Sequence, residues 1–230
     1  MNVSAVTYEA GVKAGDYATY EYIFEWKSDP PQPTPPEFEE AKQINYSLVQ
    51  VKEVTDTTII KVQETISFKN GSEKVNILIG DIETGAGNLS FQVIGRNLGV
   101  GDNISKAQDA PPINRTIPMR YAGASRNVNH IFMISASAFY ENMTAFNIYW
   151  DKETGFLCEM IISSRMSTEN YNITTIVRWN IIETNLWQPE ASVPGWEGIA
   201  IFVIIVVGVA FYIFRKSSGK RLKRRRLKTH

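Results

Sequence analysis

The side chains able to do acid–base, nucleophilic or metal chemistry are few, and their spacing decides what they do. Histidine occurs only at His130 and His230. A Ser-His-Asp site would have to use His130. That residue alternates with Phe132 and Ile134 at the start of an apolar, β-prone run, which is the position of a structural histidine. Zinc takes three or four His, Cys or carboxylate ligands, and Cys158 with His130 supplies no recognisable set. Cys158 falls in an apolar row with Phe156, Met160 and Ile162 and reads as a small core residue. As the single cysteine it forms no intrachain disulfide. Asp81, Glu83 and Asn88 offer oxygens without the periodicity of a calcium loop, and the Asp, Gly and Asn of 81–88 are turn formers. Asp151 and Glu153 lie two apart on a tight turn, whereas a glycosidase needs its carboxylates across a cleft. They read as cap and turn residues, as do Asp16 and Asp102, each of which follows a glycine. Neither a phosphate loop nor a dinucleotide fingerprint is present. The sequence therefore implies a non-enzyme with no bound cofactor and no metal.

The signal that remains is aromatic. Tyr20, Tyr22, Phe24 and Trp26 occupy every second position after Ala18, and Trp150 and Trp179 fall on similar apolar rows. Such a face is core if a sheet closes over it, and an apolar concavity for a lipid or other hydrophobic ligand if the sheet stays open. The elements that position it are strands, because period two runs through most of residues 18–181. Ser28–Glu37 holds five of the ten prolines and must leave the ladder as a stiff, extended excursion. A short helical turn over 37–43 follows it. Residues 44–54 and 57–68 read as a hairpin across Thr55-Asp56, with a phase switch at Leu48/Val49 that suggests a bulge. Asn70-Gly71 signals a tight turn into Val75, Ile77 and Ile79, and a Gly-rich turn over 81–88 leads to an expected strand at 89–94. Residues 103–128 look least regular, with Pro118 interrupting any strand. Residues 130–140 resume an apolar run, and 144–150 with 156–166 form the clearest hairpin. Ile173, Thr175, Val177, Trp179 and Ile181 mark the last strand. Nine or ten strands in sequential order predict a mainly β domain, an antiparallel meander curled into a half-barrel or small barrel.

That domain, residues 1–187, precedes a linker at 188–197, an unbroken apolar run at 198–214 and a basic tail at 215–230. At about 1.5 Å per residue the run reaches roughly 25 Å, close to the hydrocarbon thickness of a bilayer. Trp196 and Tyr212 suit headgroup depth, and Arg215 and Lys216 can snorkel outward. Nine basic residues and no acid lie in 215–230, which leaves 24 acidic against 15 basic residues in 1–214, a net charge of −9. The positive-inside rule makes the tail cytoplasmic and the large domain external. The tail explains itself as a stop-transfer segment lying on anionic lipid headgroups, so it implies no nucleic-acid partner. Residues 1–10 lack a signal pattern, and an external domain leads us to expect one upstream of, or removed from, this sequence. Asn-x-Ser/Thr triplets occur at Asn2, Asn45, Asn70, Asn88, Asn103, Asn114, Asn142 and Asn172, against about two expected by chance from the composition. Eight such triplets, none in the tail, indicate a glycosylated, exported domain.

Gly11–Tyr20, Asn97–Asp102, Ile113–Ile117 with Tyr121–Arg126, and above all the turn Tyr149-Trp-Asp-Lys-Glu-Thr-Gly155 together resemble a family of membrane-anchored archaeal surface proteins. The resemblance covers most of residues 10–187. That family carries no assigned activity, so the resemblance implies location rather than mechanism. The strand-and-turn layout is also similar, as a pattern, to half-barrel lipoprotein carriers. Val193-Pro-Gly-Trp196 with the apolar run and basic end resembles archaeal C-terminal sorting signals, with Trp where Phe is usual and a longer tail. A retained helix is the expectation. The sequence as a whole predicts a single-pass, glycosylated surface protein that displays a β-domain for envelope structure or for binding an envelope partner. The alternative is a carrier of a lipid or other apolar ligand in its curled sheet.

Overall fold

Strand formation follows the alternation closely. The computed structural model describes residues 6–190 except 90, 138–140 and 169. Its strands are β1 (Tyr17–Asp29), β2 (Ile44–Thr55), β3 (Ile59–Phe68), β4 (Glu73–Asp81), β5 (Arg115–Tyr121), β6 (Ala124–Ser137), β7 (Glu141–Asp151), β8 (Leu157–Ser167) and β9 (Asn172–Thr184). Between β1 and β2 the proline-rich arm ends in a 3-10 turn (Pro36–Phe38) and one helix, α1 (Glu39–Gln43). The protein is mainly β, and its strands form one antiparallel sheet in the order β4-β3-β2-β1-β9-β8-β7-β6-β5.

That order corrects the expected sequential meander. There are two meanders, β1–β4 and β5–β9, and they are sewn together by the first and last strands. β1 pairs with β9 from Ala18↔Thr184 to Asp29↔Asn172. The sheet is open, with β4 and β5 as its edges, so a small closed barrel is excluded. Residues 82–114 carry the chain from one edge to the other with no strand among the described residues; Gly87 bridges Gly80 of β4, and the described residues of 89–94 make a single bridge, Val93↔Phe156, instead of the expected strand. The cause is packing: Leu89, Val93, Ile94 and Leu98 are all buried and cover one end of the sheet's inner face. β5 contains Pro118, paired with Asn127. An edge strand tolerates a residue that lacks an N–H. The irregularities of β2 lie at Ile44/Tyr46 and Val51/Glu53 rather than at Leu48/Val49.

The inner face reads across β1, β9, β8 and β7 in rows, because paired residues share a face. Tyr22–Trp179–Met160–Ile148 is one row and Phe24–Val177–Ile162–Phe146 the next. Then the chemistry changes. Trp26–Thr175–Ser164–Thr144 is polar beyond its tryptophan, and Ser28–Ile173–Met166–Asn142 ends the sheet. At the opposite end the crossing segment and residues 6–12 complete the core. Tyr20 and Trp150 are fully buried there, Tyr20 donating its hydroxyl to the Leu157 carbonyl (2.6 Å) and Trp150 its indole N–H to the Phe91 carbonyl (2.7 Å).

Among the described residues no helix is long and apolar enough to cross a membrane. The expected helix at 198–214, its anchors Trp196, Tyr212, Arg215 and Lys216, the basic tail, most of the linker and Asn2 lie outside the described residues.

The β7–β8 turn shows how tightly the crossing segment is seated. Gly155 has φ +71°, and a Cβ there would stand 2.1 Å from the Ile94 carbonyl oxygen. Gly71 also has positive φ (+84°) but opens onto free space. Gly155→Ala is expected to lower unfolding free energy by about 3 kcal/mol or more, and Gly71→Ala by about 1 kcal/mol. Urea titration followed by tryptophan fluorescence checks the contrast, and equal losses would contradict the seating described.

Candidate functional site

The polar rows of the inner face lie under the proline-rich arm. Five prolines between 30 and 36 deny the arm a place in the ladder. It folds back instead, and Phe38 stacks on Phe24 with ring centroids 5.5 Å apart and lies 5.6 Å from Trp26. Arm and sheet enclose an open cavity of about 530 Å³. Pro33, Pro35 and Phe38 roof it; Trp26, Thr175, Ser164 and Thr144 form its floor; Ile173, Met166 and Asn142 close the sheet end. Arg165 at the rim is exposed and is the one charged residue among the described lining. Thr144 Oγ1 and Ser164 Oγ share a hydrogen bond at 3.0 Å. Two buried polar atoms here, Trp26 Nε1 and Asn142 Oδ1, have no partner among the described residues. In a folded protein such orphans call for an explanation.

The six aromatics expected on one face do share it, but they divide. Tyr20 and Trp150 belong to the core, covered by residues 82–114, and cannot meet a ligand. Tyr22 and Trp179 are half-buried and packed edge to face at 4.9 Å. Burial also raises the Tyr22 phenol above its usual range. Phe24 is half-buried beneath Phe38. Trp26 alone of the six lines the cavity. Sequence reading missed the floor: Ser164 and Thr175 sit at inward phase where the alternation turns polar, and that break in an apolar row was the available signal.

Among the sequon asparagines, Asn45, Asn70, Asn88, Asn103, Asn114 and Asn172 are exposed. Asn142 is the exception, half-buried at the cavity with its amide oxygen shut from solvent.

The remaining polar candidates are engaged in structure. Asp151 is fully buried; Arg126 grips it through Nε–Oδ1 (2.7 Å) and Nη2–Oδ2 (3.1 Å), and Thr154 donates its N–H and hydroxyl to Oδ2 (2.9 Å each). Glu153 takes a further bond from Arg126 (2.5 Å), and the guanidinium lies 5.1 Å from the Trp187 ring centroid. The hydrogen bond and charge of Asp151 push Arg126 above its ordinary basicity. Asp81 accepts from the Glu83 N–H and the Thr84 hydroxyl, Asp16 from the Lys13 N–H and Asp102 from the Gly99 N–H, all within turns, and Asn88 accepts from the Ile79 N–H of β4. Cys158 is fully buried, and burial pushes its thiol up. No cluster of three His, Cys, Asp or Glu among the described residues is arranged to hold a metal.

His130 is buried on the other face of the sheet, stacked on Tyr149 with centroids 4.4 Å apart. Its Nδ1 accepts from Arg115 Nε (3.0 Å), so the neutral ring carries its proton on Nε2, 3.1 Å from Asn147 Oδ1.

The fold and site together define an open antiparallel β-sheet domain with a roofed, aromatic and hydroxylic cavity. No protein-family model and no curated protein matches the chain.

Burial, and secondarily the Arg115 charge, hold His130 below its ordinary 6.5, while the Asn147 bond opposes them. The unfolded chain therefore takes up this proton first as pH falls. The His130 contribution is complete above about pH 6.5 and is lost progressively below it. Thermal melts between about pH 7 and 5 should show a decline that His130→Gln reduces. A profile unchanged by the substitution would refute the assignment.

Proposed function

We propose that the chain is a single-pass, membrane-anchored surface protein whose external β-domain is a binding module, taking its ligand in the cavity beneath the proline-rich arm. The cavity carries this reading. It is formed by the sheet and a segment that the sheet's own pairing does not need, and it holds two buried polar atoms with no partner among the described residues. The anchor is the run 198–214, flanked by Trp196, Tyr212, Arg215 and Lys216, with the tail on anionic headgroups inside. Six exposed sequon asparagines agree with an external, glycosylated domain. The curl of a half-barrel is our reading of a sheet whose inner face is plugged at one end and roofed at the other.

Display as a pure scaffold fits less well, since a scaffold has no use for the cavity. The apolar carrier is also disfavoured, because the fully apolar rows through Tyr22 and Phe24 do not line the cavity. β9 runs from Ile173 at the cavity to Thr184, about 35 Å away at 3.3 Å per residue. The chain leaves the sheet at that far end, where Trp187 donates to the Tyr121 carbonyl (3.2 Å).

Native mass spectrometry of the full chain, secreted behind a functional signal and released from membranes, is expected to show a discrete adduct beyond protein and N-glycan. Protein and glycan mass alone would return the domain to a display role. Glycopeptide mapping of the same material is expected to find the exposed sequons occupied and Asn142 bare. Full occupancy at Asn142 would mean that a covalent glycan, not a free ligand, fills the cavity.

A further inference from the structure

Floor and roof of the cavity differ in chemistry, and the difference specifies a ligand. The roof is apolar and aromatic, with Phe38 over Trp26. The floor bears hydroxyls on three adjacent strands, Thr175, Ser164 and Thr144. At their boundary lie the two buried atoms that have no partner among the described residues. Trp26 Nε1 only donates, and the Asn142 amide presents an acceptor in Oδ1. A hydroxyl, which both donates and accepts, answers each of them. An acyl chain answers neither. A carboxylate or phosphate would find one exposed Arg165 at the rim and no buried cation among the described lining. What matches is a ring with an apolar face and an edge of hydroxyls.

We propose that the cavity is a saccharide subsite that takes one neutral pyranose residue, its apolar face on the aromatic wall of Trp26 and Phe38 and its hydroxyls on Trp26 Nε1, Asn142 and the Thr144–Ser164–Thr175 row. The proposal rests on the binding-module reading and names its ligand class. At about 530 Å³ the space lies within the range of small-molecule sites and leaves room beside the ring for a glycosidic neighbour. It also accounts for the arm. Five prolines fix its course before any ligand arrives, so holding the roof over a sugar costs little further chain entropy. The source of the pyranose is either an envelope or free saccharide, or an N-glycan on a second copy of this chain. The recognition chemistry is the same for both.

The experiment is saturation-transfer NMR on the full chain in lipid nanodiscs. The sugars are methyl β-D-glucopyranoside, methyl α-D-mannopyranoside and N-acetyl-D-glucosamine, with sodium decanoate and hexaproline as counter-ligands. At least one sugar is expected to bind with a dissociation constant of about 0.1–10 mM, as suits a single residue held by a few hydrogen bonds. Trp26→Phe keeps the ring and removes the donor, and Asn142→Ala removes the acceptor. Each is expected to weaken binding about fivefold to tenfold, with the melting temperature little changed. Should either variant misfold, Ser164→Ala and Thr175→Val on the cavity floor carry the comparison. No transfer to any of the three sugars overturns the saccharide assignment, as does a sugar affinity indifferent to all four substitutions. Binding of decanoate or hexaproline alone, sensitive to Trp26→Phe, would overturn the saccharide and leave the binding module standing. Silence from every ligand together with no adduct in native mass spectrometry would sink both. Light scattering of the glycosylated chain then separates the sources. Self-association dispersed by the bound glycoside indicates a glycan on a second copy, and a monomer throughout indicates an envelope or free saccharide.

Discussion

The pairing of β1 with β9 is the constraint on which the other features hang. Two meanders, each with one face to bury, become one sheet only because residues some 150 positions apart in sequence lie in register from Ala18↔Thr184 to Asp29↔Asn172. That register sets Trp26 beside Thr175 and, through β8 and β7, beside Ser164 and Thr144. A slip of one residue would turn every inward side chain outward and dissolve core and cavity together. The ends are pinned as well. The Asn185 side chain accepts from the Tyr17 N–H (2.8 Å) and donates to the Gly15 carbonyl (3.1 Å), closing the corner where the first strand begins and the last one ends. Contacts this distant in sequence are costly to form, since loop-closure entropy must be met before they contribute.

The second fixed point is the turn between β7 and β8. Asp151 loses its water entirely and regains four hydrogen bonds, two from Arg126 and two from Thr154. Taking away one member of such a buried pair typically costs about 3–5 kcal/mol, because the other is left charged and unanswered. The same turn receives the crossing segment, with Ile94 donating to the Gly155 carbonyl at 2.9 Å and Asn97 to that of Lys152 at 2.6 Å. The Asp151 carboxylate, which the sequence reads as a cap and turn residue, is thus a fastener. Its neighbours Trp150 and Gly155 serve the same joint, one anchored to the Phe91 carbonyl, the other leaving room for Ile94.

Most strands were legible because alternation is a local signal. β1, β3, the β7–β8 hairpin and β9 lie where period two puts them, and Asn70-Gly71 turns as its types require. The strand order was not legible. Hairpin signals say which neighbours in sequence pair; nothing local says that β1 meets β9, so a run of hairpins read as a single meander. Residues 89–94 misled for a related reason. Leu89, Val93 and Ile94 are apolar because they enter a core, and an apolar string has the same composition whether it joins a sheet or covers one. The aromatic face was visible, but its division into core and cavity depended on the crossing segment, whose path follows from tertiary packing. Asn142 drew attention as a sequon, while the structure makes it part of the cavity.

The cavity and the chain's point of exit sit at opposite ends of the same strand, and this has a mechanical meaning. Tension between the Ile173 end of β9 and its Thr184 end runs parallel to the strands and across the hydrogen bonds of two full ladders, those with β1 and β8. Force in that direction loads all those bonds at once, as in shear, whereas a perpendicular pull would open them singly like a zip. A domain built this way meets drag along the strongest axis of its sheet.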